Sequence, residues 1–111
     1  MLIFPIKKRW FDMMLSGEKQ EEYREIKKYW DVRIIKWLGF PVSQIDMVKD
    51  LLRKKETEVT KEVIYQNGYG KNAPQAKAMC SLSIGTGKEE WGAVPGKEYY
   101  RFHIKEISRK E

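Results

Sequence analysis

The regular alternation of residue types from Ala76 to Ile84 restricts the possible folds of this chain more than any other pattern in its sequence. Every second side chain there is small or apolar, and most of the side chains between them are polar. Successive side chains of a strand point to opposite faces, so a period of two predicts a β-strand with one buried face. The residues expected to be buried are Ala76, Ala78, Cys80, Leu82 and Ile84. Such a strand needs neighbouring strands to pair its backbone, so the chain must build a sheet around it.

Four other segments also predict strands. Residues 2–6 form a short apolar run, and from Val59 the chain is rich in Thr, Val, Ile and Tyr until turn-forming residues begin at Asn67. The segment over about residues 19–26 is expected to be extended, and a last strand is expected over residues 98–107. That last strand should carry two sets of side chains on opposite faces, Tyr100, Phe102 and Ile104 on one and Tyr99, Arg101, His103 and Lys105 on the other.

Three segments predict helices, because their apolar residues recur at intervals of three and four. They cover about residues 10–15, 29–38 and 45–55. Gly17 fits the position just beyond the end of the first helix, where a left-handed backbone favours glycine. Ser43 resembles the N-cap of the third helix. Each helix would present one apolar face to the core.

Three helices and about five strands in a non-alternating order predict an α+β fold. With 111 residues the chain has the length of one domain, so we expect a single domain over residues 1–111. Hydrophobic residues make up 41% of the chain and aromatic residues 13%, which excludes the class of disordered proteins. The chain should therefore fold around one modest core.

Basic residues outnumber acidic ones. The chain has 22 Lys and Arg against 16 Asp and Glu, which gives a net charge of +6 at pH 7. Such an excess favours a polyanionic partner, such as RNA or the phosphate of a single nucleotide. Many small basic domains bind nothing specific, so the charge alone leaves the partner open.

Cys80 is the only cysteine and His103 the only histidine. One cysteine forms no intramolecular disulfide, which is typical of proteins in a reducing cytoplasm. Two such residues are too few for a zinc site, and we expect no metal and no other cofactor. The apolar N-terminus precedes a basic cluster, the reverse of a secretory signal, and no apolar run reaches membrane-spanning length. We therefore expect a cytoplasmic protein without a membrane partner. The sequence leaves the oligomeric state open, with a monomer favoured.

The segment from Gly17 to Arg24 says most about function. Lys19 lies where the chain turns into the extended segment. Glu22 and Arg24 are two residues apart, so they share one face of a strand. An ammonium, a carboxylate and a guanidinium should therefore converge on one small polar site. A charged face exposed to solvent is the alternative interpretation.

The same segment resembles a known family. Gly17, Lys19, Glu22 and Arg24 fit the G-x-K-x-x-E-x-R pattern of the ASCH domain, a branch of the PUA-like superfamily. The first strand, the helix after it, the Asn-Gly-Tyr at residues 67–69 and the Trp-Gly-Ala at residues 91–93 also come in the order that ASCH domains show. The resemblance implies a small mixed β-barrel of about five to six strands with about three flanking helices, and an association with RNA. The chain departs from many relatives in having glutamine rather than threonine at position 20.

The residues and the resemblance together indicate a site for RNA or a nucleoside. A loop at residues 67–74 with two glycines, an aromatic and a lysine suits a phosphate and a base, although an ordinary Asn-Gly hairpin turn explains it equally well. Trp91 would act as a stacking platform or close one end of the barrel. The candidate binding residues are Lys19, Glu22, Arg24, Asn67, Tyr69, Lys71 and Trp91.

The resemblance also implies an enzymatic alternative, because some compact ASCH proteins are amidohydrolases that deacylate N4-acetylcytidine and similar nucleosides. Lys19 matches the lysine of those enzymes. Glu22 falls where they place a threonine nucleophile, and it would instead act as a general base for water. Lys19 and Glu22 are the candidate catalytic residues, and a ribonuclease or a protein-interaction module are further alternatives. No serine lies in a nucleophile elbow, and His103 is expected to face solvent.

Overall fold

Five strands and three α-helices make up the fold in a computed structural model, which describes residues 1–110. Glu111, the last residue of the expected domain, lies outside the described residues. The strands are β1 (Ile3–Ile6), β2 (Glu21–Glu25), β3 (Lys61–Asn67), β4 (Gln75–Thr86) and β5 (Glu98–Lys110). The helices are α1 (Lys8–Leu15), α2 (Lys28–Leu38) and α3 (Ile45–Lys54), with short 3-10 helices at Val42–Gln44 and Glu89–Trp91.

The strands form one curled sheet in the order β1-β3-β4-β5-β2, which has the shape of a half-barrel. The edge strand β1 is parallel to β3, and the other neighbouring pairs are antiparallel. Within residues 1–110 no backbone pairing joins β1 to β2, so the sheet is open between its two edges. The predicted α+β class, with about five strands and three helices around a small barrel-like sheet, is confirmed at this level.

The core fills the concave side of this sheet. Phe102 of β5 lies at its centre and is fully buried; its ring centroid is 5.0 Å from that of Phe4 on β1 and 5.5 Å from that of Trp37 on α2. The alternating residues of β4 are buried as predicted, and burial raises the pKa of Cys80 to about 11. The helices contribute further apolar side chains to the core, namely Phe11, Met14, Ile34, Ile35, Val48 and Leu52.

The prediction that β4 has only one buried face is wrong for its second half. Ser81 and Ser83 point away from the apolar core, yet they are 2% and 3% exposed. Side chains cover this part of the convex face: the Ser81 hydroxyl donates to Glu56, and Ser83 Oγ lies 2.7 Å from His103 Nε2 and accepts from Arg101 Nε at 3.1 Å. The chain after α3 brings Glu56 there, because it is bonded to the edge of β4: the N–H of Thr57 donates to the Leu82 carbonyl at 2.9 Å, and the Leu82 N–H donates to the Thr57 hydroxyl at 2.9 Å.

The helix ends agree with the sequence more closely than the helix starts. Gly17 follows α1 with a φ of +84°, and Gly39 ends α2 with a φ of +90°, the left-handed conformation that glycine adopts at little cost. Ser43 was expected to cap α3, which is wrong, because it lies inside the 3-10 helix and α3 begins without a side-chain cap. Among residues 1–110 no helix has the length and apolar character that crossing a membrane requires.

Truncation of Phe102 to alanine should remove the centre of the core. A buried Phe→Ala change costs about 3–5 kcal/mol of unfolding free energy, because it leaves a cavity between sheet and helices. Phe40→Ala is the matched control, since Phe40 is 41% exposed and its truncation should cost only about 1 kcal/mol. Urea unfolding of the two variants measures the difference, and similar losses would contradict the packing described.

Candidate functional site

A cleft of about 750 Å³ opens where the half-barrel is not closed, between edge strands β1 and β2. Its walls come from the two strand edges, the start of α1 and of α2, the loop after β3 and the segment before β5. A neighbouring hollow of about 570 Å³ shares some of its lining residues, Pro5, Arg24, Trp30 and Tyr69. The open edge of the sheet thus becomes one continuous groove.

Glu22 lies in the cleft wall with 7% of its surface exposed. Its strand position directs it there, because β2 pairs with β5 and Glu22 lies opposite Phe102 on the concave face. One carboxylate oxygen, Oε1, lies 3.3 Å from the Lys19 ammonium, and the other, Oε2, accepts a hydrogen bond of 2.9 Å from Arg24 Nη2. The Tyr23 N–H also donates to Oε1, at 3.2 Å. The buried carboxylate is therefore held between two cations.

Arg24 reaches across the open edge of the sheet. Its Nη2 donates to the Pro5 carbonyl of β1 at 3.4 Å, and its Cζ lies 4.5 Å from the ring centroid of Phe4 and 5.2 Å from that of Trp30. The buried Nε–H of Arg24 has no acceptor within residues 1–110. The guanidinium thus links the two strand edges that backbone pairing leaves apart.

Lys19 lies beneath this pair rather than in the cleft wall, and its side chain is fully buried. Its Nζ donates to the Glu21 carbonyl at 2.6 Å and to the Trp91 carbonyl at 2.8 Å, and the third contact is Glu22. Burial lowers the pKa of Lys19, and the neighbouring Glu22 carboxylate opposes this shift. The ammonium, with three protons for three acceptors, fixes the turn before β5 to strand β2.

Aromatic rings and lysines form the rim of the cleft. Tyr69 is the most prominent, since 84% of its surface is exposed. Trp91 is mostly buried, and its Nε1 donates to the Glu18 carbonyl at 3.0 Å. The other aromatic lining residues are Trp10, Tyr23, Trp30 and Tyr99, and the lysines are Lys7, Lys27 and Lys97. Within residues 1–110 there is no cluster of three or more His, Cys, Asp or Glu that could hold a metal ion.

The structure brings together four of the residues singled out in the sequence, because Glu22, Arg24, Tyr69 and Trp91 all line the cleft. Lys19 contacts this group from below. Two other candidates lie outside the lining: Asn67, which ends β3, and the exposed Lys71. The three rim lysines were not among the residues predicted from the sequence. Lys7 and Lys27 stand directly between a strand and a helix, but nothing in a single sequence tells which strand ends meet.

A second polar cluster lies on the convex face of the sheet, on strands β2, β4 and β5. His103 was expected to face solvent, but its side chain is only 18% exposed and lies between Glu21 and Ser83. The hydrogen bond with His103 is the main reason why the pKa of Glu21 falls to about 2, and the Tyr23 hydroxyl adds to the effect. Burial and the bond to Glu21 raise the pKa of Tyr23. Glu21 is therefore a carboxylate throughout the neutral and mildly acidic range.

Comparisons of the chain with models of protein families, with curated proteins and with solved structures found no match.

Replacement of Glu22 by glutamine is expected to destabilise the fold, because it leaves the buried Lys19 and Arg24 without a counter-ion. Removing one partner of a buried ion pair costs about 3 kcal/mol or more. Without the Glu22 carboxylate, the charged form of Lys19 is less stable in the folded state. The loss of unfolding free energy should therefore become smaller at alkaline pH, where the Lys19 ammonium loses its proton. Urea unfolding at neutral and alkaline pH measures both effects.

Glu25→Gln is the control for this experiment. Glu25 lies on the same strand, its side chain is 54% exposed, and its carboxylate pairs with Lys97 at 3.5 Å. An exposed pair contributes about 0.5 kcal/mol, without the alkaline recovery. Equal losses in the two variants would contradict the buried charge arrangement.

The lowered pKa of Glu21 predicts how stability depends on pH. Its carboxylate is favoured in the folded state, so its contribution is complete above the ordinary value of 4.5 and is lost as pH falls toward about 2. Glu21→Gln should be less stable than wild type at pH 7, and the difference should shrink below pH 4.5. Thermal unfolding measured across this pH range tests the prediction. Glu106 is exposed, so the stability of Glu106→Gln should change with pH in the same way as that of wild type.

Proposed function

We propose that this protein is an ASCH-type domain whose cleft binds an unpaired nucleotide of RNA or a modified nucleoside. The observation that carries the proposal is the buried Glu22–Arg24 pair in a cleft whose rim combines aromatic rings with lysines. Stacking surfaces, a polar edge that reads a base and cations for phosphates are the three elements by which proteins recognise single-stranded RNA.

The Glu22 carboxylate has the hydrogen-bonding capacity to read a base. Its Oε1 lies 3.3 Å from the Lys19 ammonium and accepts from the Tyr23 N–H, whereas Oε2 accepts only from Arg24. A carboxylate has about four acceptor positions, so one remains at Oε2. The exocyclic amino group of cytosine or adenine is a suitable donor for it. A base would then stack against the exposed Tyr69 ring.

The charges around the cleft suit a short strand rather than a nucleoside alone. Lys7, Lys27 and Lys97 surround the cleft, and Arg33 and Lys36 line the neighbouring hollow. Cations on both sides of one base position lie where the flanking phosphates would run. The net charge of +6 acts in the same direction.

An amidohydrolase acting on N4-acetylcytidine-type nucleosides is the second candidate, and the lowered pKa of Lys19 favours it. Glu22 would activate water as the general base, with Lys19 controlling the charge of that carboxylate from below. A ribonuclease would use the same two residues. Release of acetate from N4-acetylcytidine by the wild-type protein, above a sample without protein, distinguishes this function from binding alone. A protein-interaction module would show neither RNA affinity nor turnover.

Tyr69→Ala should weaken the binding of a fluorescein-labelled single-stranded RNA about fivefold or more, because base stacking on an aromatic ring contributes about 1–3 kcal/mol. Tyr69→Phe keeps the ring and should keep the affinity. Fluorescence anisotropy titrations measure the dissociation constants. Equal affinity of the alanine variant and wild type would contradict binding in this cleft.

The phosphate contacts have their own matched pair of variants. Lys97→Ala removes a cation at the cleft rim, whereas Lys77→Ala removes an exposed lysine on β4 that pairs with Glu62 at 3.8 Å. Only the first should reduce the slope of log affinity against log salt, by about one. Identical slopes in both variants would remove Lys97 from the proposed phosphate path.

A further inference from the structure

Three side chains on the convex face of the sheet form a connected chain of hydrogen bonds. Ser83 Oγ of β4 lies 2.7 Å from His103 Nε2 of β5, and His103 Nδ1 lies 2.9 Å from Glu21 Oε2 of β2. Strand register explains the meeting, because Glu21 and Ser81 both lie opposite His103, and Ser83 is the next residue along on the same face of β4. Hydroxyl, imidazole and carboxylate are thus in the order of a nucleophilic triad.

The Glu21 carboxylate sets the hydrogen-bond directions in this chain, because an ionised carboxylate only accepts, and the proton of the neutral imidazole then lies on Nδ1. His103 Nε2 is in that case the acceptor for the Ser83 hydroxyl. This is the tautomer in which the imidazole takes a proton from the serine. Arg101 Nε donates to Ser83 Oγ at 3.1 Å and takes one acceptor position of that oxygen.

Two glycines make room for the residues that position this group. A Cβ on Gly85 would lie 2.6 Å from Arg101 Cζ, so only glycine allows the guanidinium to lie against β4 beside Ser83. A Cβ on Gly87 would lie 2.6 Å from Tyr23 Cζ. The Tyr23 hydroxyl donates to Glu21 Oε1 at 2.6 Å and accepts the Lys88 N–H at 3.0 Å. Both ends of the triad are therefore held from outside.

A small hollow gives access to the serine. It has a volume of about 220 Å³, and Ser83, Arg101 and His103 line it together with residues 52–56 at the end of α3. The cations on its wall besides Arg101 are Arg53, Lys54 and Lys55, against the single carboxylate of Glu56. A compact ligand with a negative charge suits this size and charge.

We propose that Ser83, His103 and Glu21 form a nucleophilic site that hydrolyses small anionic esters. Ser83 Oγ attacks the ester carbonyl carbon while its proton passes to His103 Nε2. The tetrahedral adduct then loses the alcohol, which takes that proton as the C–O bond breaks, and leaves the acyl group on Ser83. Water attacks the acyl-serine with His103 as base, which releases the carboxylic acid and restores the hydroxyl. The Arg101 guanidinium, whose Nε lies 3.1 Å from Ser83 Oγ, is the cation beside the adduct and would stabilise its negative charge.

This site is separate from the cleft of the proposed function, since it lies on the other face of the sheet and uses other strand positions. Two residues contribute to both: Tyr23 has its ring in the cleft wall and its hydroxyl on Glu21, and the Glu21 carbonyl accepts from Lys19 at 2.6 Å. The two functions therefore stand or fall independently.

The test measures 4-nitrophenolate release from the mono-4-nitrophenyl ester of succinic acid, a small anionic ester, by the chain of residues 1–111. Wild type should turn the ester over, and Ser83→Ala should lose at least a hundredfold in rate. Ser81→Ala is the matched control, because Ser81 is equally buried on the same face of β4 but donates to Glu56 instead of histidine. Its rate should equal that of wild type.

Covalent labelling identifies the nucleophile directly. In wild type and in Ser81→Ala, a fluorophosphonate should add to Ser83 alone, which peptide mass spectrometry shows. The His103→Gln variant should be labelled at least a hundredfold more slowly, while its circular dichroism spectrum stays that of the folded protein. Activated esters also acylate exposed lysines once, and the Ser83→Ala sample measures that background. Equal turnover in Ser83→Ala and wild type, labelling at another residue, or no release above the background would overturn the proposal.

Discussion

One buried carboxylate determines how the open edges of this sheet meet. Glu22 lies between the ammonium of Lys19 and the guanidinium of Arg24, and it does so where no backbone hydrogen bonds join β1 to β2. Isolated charges are costly to bury, so the three groups are stable in that place only together. Arg24 extends the group to the Pro5 carbonyl, and Lys19 extends it to that of Trp91. The cleft, its floor and part of its rim depend on this set of contacts.

The fold could be predicted from the sequence wherever a local pattern sets the answer. The alternation in β4, the apolar periodicity of the helices and the glycines beyond α1 and α2 are such patterns. The buried serines of β4 could not be predicted, because the side chains that cover them come from distant positions: Glu56 lies 25 residues before Ser81, and His103 lies 20 residues after Ser83. The Ser43 cap of α3 was also wrong, since Ser43 lies inside a 3-10 helix, although α3 itself begins near the expected position. The first error concerns contacts between distant segments, which no local pattern encodes.

The candidate site could also be predicted only where a local pattern determines it. The spacing of Glu22 and Arg24 sufficed to place them on one face, and the turn after Gly17 brought Lys19 to them. The sequence alone does not show that contacts on three sides fix the Lys19 ammonium, because one of these contacts is with the carbonyl of a residue 72 positions away. The triad-like cluster was missed for a related reason. Its serine lies in the middle of a strand, outside any nucleophile elbow, and only the register of three strands reveals its neighbours.

The open sheet also bears on whether another chain can add a strand to it. An unpaired strand edge is a template on which another chain can add a strand. Pro5, within β1, has no backbone N–H to donate to another strand. Its carbonyl already accepts a hydrogen bond from the Arg24 side chain. The opposite edge is a five-residue strand in which four residues are charged. This half-barrel therefore keeps a gap wide enough for a ligand, although its two edges are poor sites for the addition of another β-strand.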